Sequence, residues 1–118
     1  VWHHVRGAND LQMLRRLPAE LVVRIQMNDG PLEPTIADYK DDCLHHRVPP
    51  GEGAFDLDGF LDVVLDMFDE RGVRPAWDLE VCNAAAQQRP AIEHVRACAD
   101  GLRSVLDRVR RRRDAQVG

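Results

Sequence analysis

Six apolar side chains, Leu57, Phe60, Leu61, Val64, Leu65 and Phe68, recur at alternating steps of three and one. On a 3.6-residue period they form one stripe of an amphipathic helix. Asp56 is suited to cap its start and Gly72 to terminate it, so the pattern predicts a helix over about 57–71. A second stripe, Ile92, Val95, Ala99, Leu102, Leu106 and Val109, steps by three and four behind Pro90, which is favourable at a first helical position. It predicts a helix over about 90–113. Leu11, Leu14 and Leu17, with Asn9 or Asp10 as cap and Pro18 as stop, predict a shorter helix over about 10–17.

Between these lie runs with a period of two. Residues 21–27 end at Asn28-Asp29-Gly30-Pro31, and residues 76–82 follow Pro75; both read as strands, and residues 1–5 read as the end of a third. A long loop, about 28–55, separates the second strand from the next helix. Strands alternating with helices predict an α/β fold with a parallel sheet and right-handed crossovers. Val23, Ile25 and Met27 point to one side and Arg24 and Gln26 to the other. Trp77, Leu79 and Val81 likewise oppose Asp78 and Glu80. A sheet covered by helices on both faces is apolar on both, so the polar face suits the inside of a (β/α) barrel near its top. Three strands cannot close a barrel. The expected architecture is therefore three βα units of an incomplete TIM barrel.

Composition narrows the class. With 44% hydrophobic and 31% charged residues the chain is an ordinary globular one, and no apolar run approaches a membrane span. The formal net charge of −4 argues against nucleic acid as a partner. Arg110 to Arg113 stand at a helix C-terminus, where cations favour the dipole, and no aromatic residue accompanies them, so they read as a solvated helix end. Cys43, Cys82 and Cys98 are three, widely spaced and without a C-x-x-C, which fits a reducing, cytoplasmic setting. Cys43-Leu44-His45-His46 lacks the second ligand pair of a structural zinc site.

Four short stretches then combine: Trp2-His3, Ile25 to Gly30, Arg47 to Gly53, and Leu79-Glu80-Val81. In this order and spacing they resemble the last three βα units of the xylose isomerase-like TIM barrels. That superfamily includes sugar phosphate isomerases and epimerases, inosose and 3-dehydroshikimate dehydratases, and type 2 AP endonucleases. The resemblance implies a divalent metal (Mg²⁺, Mn²⁺ or Co²⁺) at the top of the barrel, with Gln26 and Glu80 as two of its four protein ligands. It also implies that His3, or Glu80 itself, moves a proton, and that Arg47 and Asp29 meet the substrate. Oxygen donors suit such ions, and a metal-polarised carbonyl lowers the cost of removing the neighbouring proton. Gln26 departs from the commoner histidine and is more similar to the dehydroshikimate dehydratase branch. The further His ligands of an AP endonuclease zinc cluster are not found.

Structural roles stand beside these. Glu80 can pair with Arg24 or Arg74, Gln26 can be a polar lining residue, and Asp29 can cap the turn at Gly30-Pro31. The leading expectation is the C-terminal part of a metal-dependent sugar (phosphate) isomerase or epimerase acting on a small polyhydroxylated substrate. The alternatives are a dehydratase of 3-dehydroshikimate or inosose type, and an inactive partial barrel that assembles with itself or with a missing N-terminal half. On its own the chain is expected to be inactive.

Overall fold

The computed structural model describes all 118 residues. Its elements run α1 (Trp2–Arg6), α2 (Leu11–Leu14), β1 (Arg24–Met27), α3 (Tyr39–His45), α4 (Leu57–Arg71), β2 (Ala76–Leu79) and α5 (Ala91–Val117). Short 3-10 turns lie at Ala19–Leu21 and Ala86–Gln88. The strands β1 and β2 pair in parallel, Gln26 opposite Asp78 and Met27 opposite Leu79, with α4 between them in sequence. This is a βαβ unit followed by one long helix.

The helix α4 starts where the Asp56 carboxylate accepts the Gly59 N–H (2.9 Å) and ends at Gly72, whose φ of +64° is the left-handed conformation that glycine adopts without strain. Phe60, Leu61, Val64, Met67 and Phe68 of α4 join Val105, Leu106 and Val109 of α5 and Ile25 and Met27 of β1 in one core. The helix α5 runs to Val117, beyond the expected end near 113, because Arg108, Arg112 and Arg113 pair with Asp58, Asp62, Asp66 and Asp69 along α4. Arginines that read as a solvated end thus tie the two helices together.

Three expectations are corrected. Residues 2–6 form a helix, not a strand: Trp2 turns inward while Val1 and Val5 pack partly against the core. The main-chain nitrogen of Val1 still donates to the Gln26 carbonyl (2.9 Å), which sets α1 beside the end of β1. The regular pairing of the strands is shorter than 21–27 and 76–82, because a 3-10 turn takes up residues 19–21 and the chain leaves the ladder after Leu79. The loop 28–55 is not structureless: it contains α3, capped by Asp38, whose carboxylate accepts the Asp41 N–H (2.8 Å).

Candidate functional site

Side chains alternate across the sheet, so Arg24 and Gln26 of β1 share a face with Asp78 of β2 and with Glu80 just beyond it. Opposite them Ile25 and Met27 are buried. The shared face is polar and open. Gln26 Nε2 lies 3.5 Å from Asp78 Oδ2, and Arg24 Nη1 donates to the same oxygen at 3.2 Å. Arg24 therefore pairs with Asp78 and not with Glu80.

The partner of Glu80 comes from the loop. Arg47 Nη1 donates to Glu80 Oε2 (2.7 Å) and to the Glu80 carbonyl (3.1 Å), while Nη2 donates to Cys43 Sγ (2.7 Å). Holding a residue by both its main chain and its carboxylate restricts that carboxylate to one orientation. Oε2 is engaged, and Oε1 makes no bond within the chain. The Arg47 side chain is 3% exposed and that of Glu80 45%. Burial alone would lower the Arg47 pKa, but bonds to Cys43 and Glu80 outweigh it and hold the guanidinium above its ordinary value. Arg47 is thus directed at the site's carboxylate.

Asp29 also takes an internal role. It is 1% exposed, and its carboxylate accepts the N–H groups of Gly30 (2.8 Å), Phe55 (3.0 Å) and Gly51 (3.0 Å). Its main chain exchanges two hydrogen bonds with Val48 (3.0 and 2.9 Å). Asp29 therefore folds the segment that carries Arg47. The neighbouring Asn28 donates from Nδ2 to the Glu80 carbonyl (3.3 Å), which ties the ends of the two strands together.

His3 projects from α1, and its Nδ1 meets the Tyr39 hydroxyl of α3 at 2.5 Å. In the tautomer that donates from Nδ1 to the hydroxyl oxygen, Nε2 keeps a free lone pair and can accept a proton. Sequence reasoning gave no role in the site to Tyr39, Cys43, Asn28, Trp2 or Arg6. A signal was available for the first two, since Asp38-x-x-Asp41 is a helix-start pattern that places Tyr39 and Cys43 on one short helix.

Gln26 and Glu80 supply oxygen donors on one sheet face, a chemistry that fits part of a hard divalent ion's coordination shell. No group of three His, Cys, Asp or Glu side chains converges in the chain, so these residues fit a share of such a site and not the whole of one.

No protein-family model matches the chain. Two curated relatives do, each over 105 residues: the 3-dehydroshikimate dehydratases of Pseudomonas aeruginosa (35% identical) and Pseudomonas putida (30% identical). The match covers 89% of this chain and 15% of each relative. Among solved structures, the zinc-bound IolI protein superposes with a TM-score of 0.71 at 20% identity, over 90% of this chain and 35% of its own. A fusion of a xylose isomerase-like TIM barrel with a 4-hydroxyphenylpyruvate dioxygenase superposes with a TM-score of 0.67 at 29% identity, over 91% of this chain and 16% of its own. Over most of its length the chain is similar in sequence to these dehydratases and shares the fold of part of a xylose isomerase-like TIM barrel, and it spans well under half the length of each of these proteins.

Proposed function

We propose that the chain contributes the C-terminal side of the active site in a divalent-metal-dependent dehydratase acting on a cyclic hydroxy-keto acid of the 3-dehydroshikimate kind. The observation that carries this reading is Glu80, fixed by Arg47 with one carboxylate oxygen free, on the same polar sheet face as Gln26. Both curated relatives are dehydratases, and they move this reading ahead of the isomerase or epimerase one. The two reactions share a first step, loss of a proton beside a carbonyl.

Gln26 and Glu80 would hold the ion together with ligands from elsewhere in the barrel. Bound there, a divalent ion would supply Lewis acidity toward the substrate's oxygens. His3, supported through Nδ1 by Tyr39, takes up the proton at Nε2. Arg47 keeps Glu80 aimed, and Asn28 with Asp29 keeps the strand ends and the loop in register.

A chimera tests the reading. This chain replaces the matched segment of the Pseudomonas aeruginosa dehydratase, and the product is assayed on 3-dehydroshikimate and on a ketose phosphate. Metal-dependent loss of 3-dehydroshikimate that disappears in Glu80→Gln is expected. Turnover of the ketose alone would return the isomerase reading. A folded, metal-loaded chimera acting on neither would sink both.

A further inference from the structure

Trp2 is among the most buried side chains in the chain, and two guanidinium groups stand over its ring: Arg6 Cζ at 4.5 Å and Arg47 Cζ at 5.3 Å from the centroid. Groups outside the candidate site hold the indole in place. Phe55 packs on it with ring centroids 5.5 Å apart. Gly30 lies so close that a Cβ there would come within 2.6 Å of Trp2 Cζ3. Arg6 is anchored separately, through Nε to Asp42 (2.7 Å) and through Nη1 to the Leu32 carbonyl (2.9 Å).

Arg47 is anchored through its main chain, which donates to the Cys82 carbonyl (3.1 Å) and accepts from Asn83 Nδ2 (2.8 Å), and through its guanidinium bond to Cys43. Its terminal nitrogens bond Glu80 and Cys43, and its buried Nε has no partner in the chain. The indole lies against the same guanidinium with Cζ 5.3 Å from its centroid, alongside the bonds to Glu80 and Cys43, and a desolvated cation over tryptophan is attracted to the ring's negative face.

We propose that Trp2 is the positioning residue that aims Arg47 at Glu80, and thereby leaves one Glu80 carboxylate oxygen turned to the open face. Its value for catalysis rests on the reading of Glu80 given above; the stacking itself does not. The device joins α1, the loop and the end of β2, three segments with no regular hydrogen-bond ladder among them. It also explains why a large aromatic residue stands directly beside His3.

The test uses the full chain carrying Trp77→Phe, so that Trp2 is the single indole. Tryptophan is replaced by mono-, di- and trifluorinated analogues, which weaken the ring's negative face with little change of shape, so folding is kept. The rate of rotation about the Arg47 Nε–Cζ bond is read from the ¹⁵N signals of its terminal nitrogens. Stepwise acceleration, reaching about tenfold, is expected, with a smaller change at Arg6 because Asp42 still holds it. Trp2→Phe should retain most of the restraint and Trp2→Leu lose it. Equal Arg47 rates across the fluorinated series would overturn the proposal and leave Trp2 as packing alone. In the dehydratase chimera, Trp2→Leu should lower kcat about tenfold at little changed KM, with rescue by Trp2→Phe. Full activity of the Glu80→Gln chimera would remove the catalytic reading, while the rotation rates still decide the stacking.

Discussion

Asp29 accepts the main-chain N–H of Phe55, twenty-six residues further along, at 3.0 Å, and the same carboxylate takes Gly30 and Gly51. Asp29 thereby closes the Val48–Phe55 turn onto the end of β1, its main chain holding Val48 and its carboxylate holding Gly51 and Phe55. Asp29→Asn keeps the size but sets an amide N–H₂ against at least one of these donors. A loss of about 1–3 kcal/mol is expected, the cost of a buried polar group left unsatisfied. Urea denaturation checks it. A change within error of zero would mean that the turn holds without the carboxylate.

The Arg47–Glu80 pair is asymmetric, and so are the expected effects of breaking it. Arg47 is buried, while Glu80 reaches water. Glu80→Ala leaves a cation under the fold with little to balance it and is expected to cost about 1–3 kcal/mol. Arg47→Met removes that cation and lets the carboxylate be hydrated, so its cost should stay under about 1 kcal/mol. The same two variants should rank alike in any activity assay, both strongly impaired. Equal stability losses would contradict the burial argument.

How far the sequence carried this reading depends on the range of the interactions. The helix Leu57–Arg71 was legible because its stripe and both end residues, Asp56 and Gly72, lie within the segment itself. The pairing of Gln26 with Asp78 follows from alternation once the two strands are set parallel. The helix Trp2–Arg6 was not legible, since Val-Trp-His-His-Val suits a strand as well as a helix, and the choice is made by burying Trp2 against Phe55 and Arg6. Arg47 and Asp29 were legible as important positions but not in their roles. Their partners, Glu80, Cys43, Gly51 and Phe55, are brought to them only by the folded loop. The buried Arg6–Asp42 pair, thirty-six residues apart, left no local pattern at all.

Acid should weaken the contact between α4 and α5 through Asp58. The hydrogen bond from Arg108 holds the Asp58 carboxyl below its ordinary value of 3.8, helped by the nearby Arg112 charge. A carboxyl depressed on folding adds stability above its unfolded pKa, and that contribution is lost as pH falls through the folded value. Asp58→Asn should therefore lower stability at neutral pH by about 0.5–1 kcal/mol and flatten the acid limb below pH 4. Denaturant midpoints measured from pH 6 down to pH 3 would show it. An unchanged slope in the variant would exclude Asp58 from the acid response.

A second pH response, nearer neutrality, is expected from His4. Its ring packs on Phe60 with centroids 5.7 Å apart, and its Nε2 is buried with no partner. Burial lowers its pKa from the ordinary 6.5. A histidine depressed on folding stabilises above its unfolded pKa and loses that contribution as pH falls. Stability should drop as pH falls below about 6.5, and His4→Phe should remove that drop. An NMR titration of the ring that gave an ordinary or raised value would reverse the sign.

The last expectation concerns the open sheet. The strand β2 pairs on one side alone, and beyond its free edge a groove of about 620 Å³ is lined by Val81, Cys82, His94 and Val95. At the other side of the sheet, Leu21 and Val23 are 75% and 78% exposed. Unpaired strand edges next to exposed apolar side chains promote association. The chain spans 35% of the IolI protein it superposes on, and its sheet has two strands. The 118-residue chain by itself should therefore self-associate with concentration and bind Mn²⁺ weakly, since no group of three His, Cys, Asp or Glu side chains converges in it. Sedimentation and calorimetry decide this together. Val23→Lys with Val95→Glu should shift the chain toward monomer without strengthening the metal response. A monodisperse wild-type monomer binding one Mn²⁺ tightly would mean that these residues complete a site unaided.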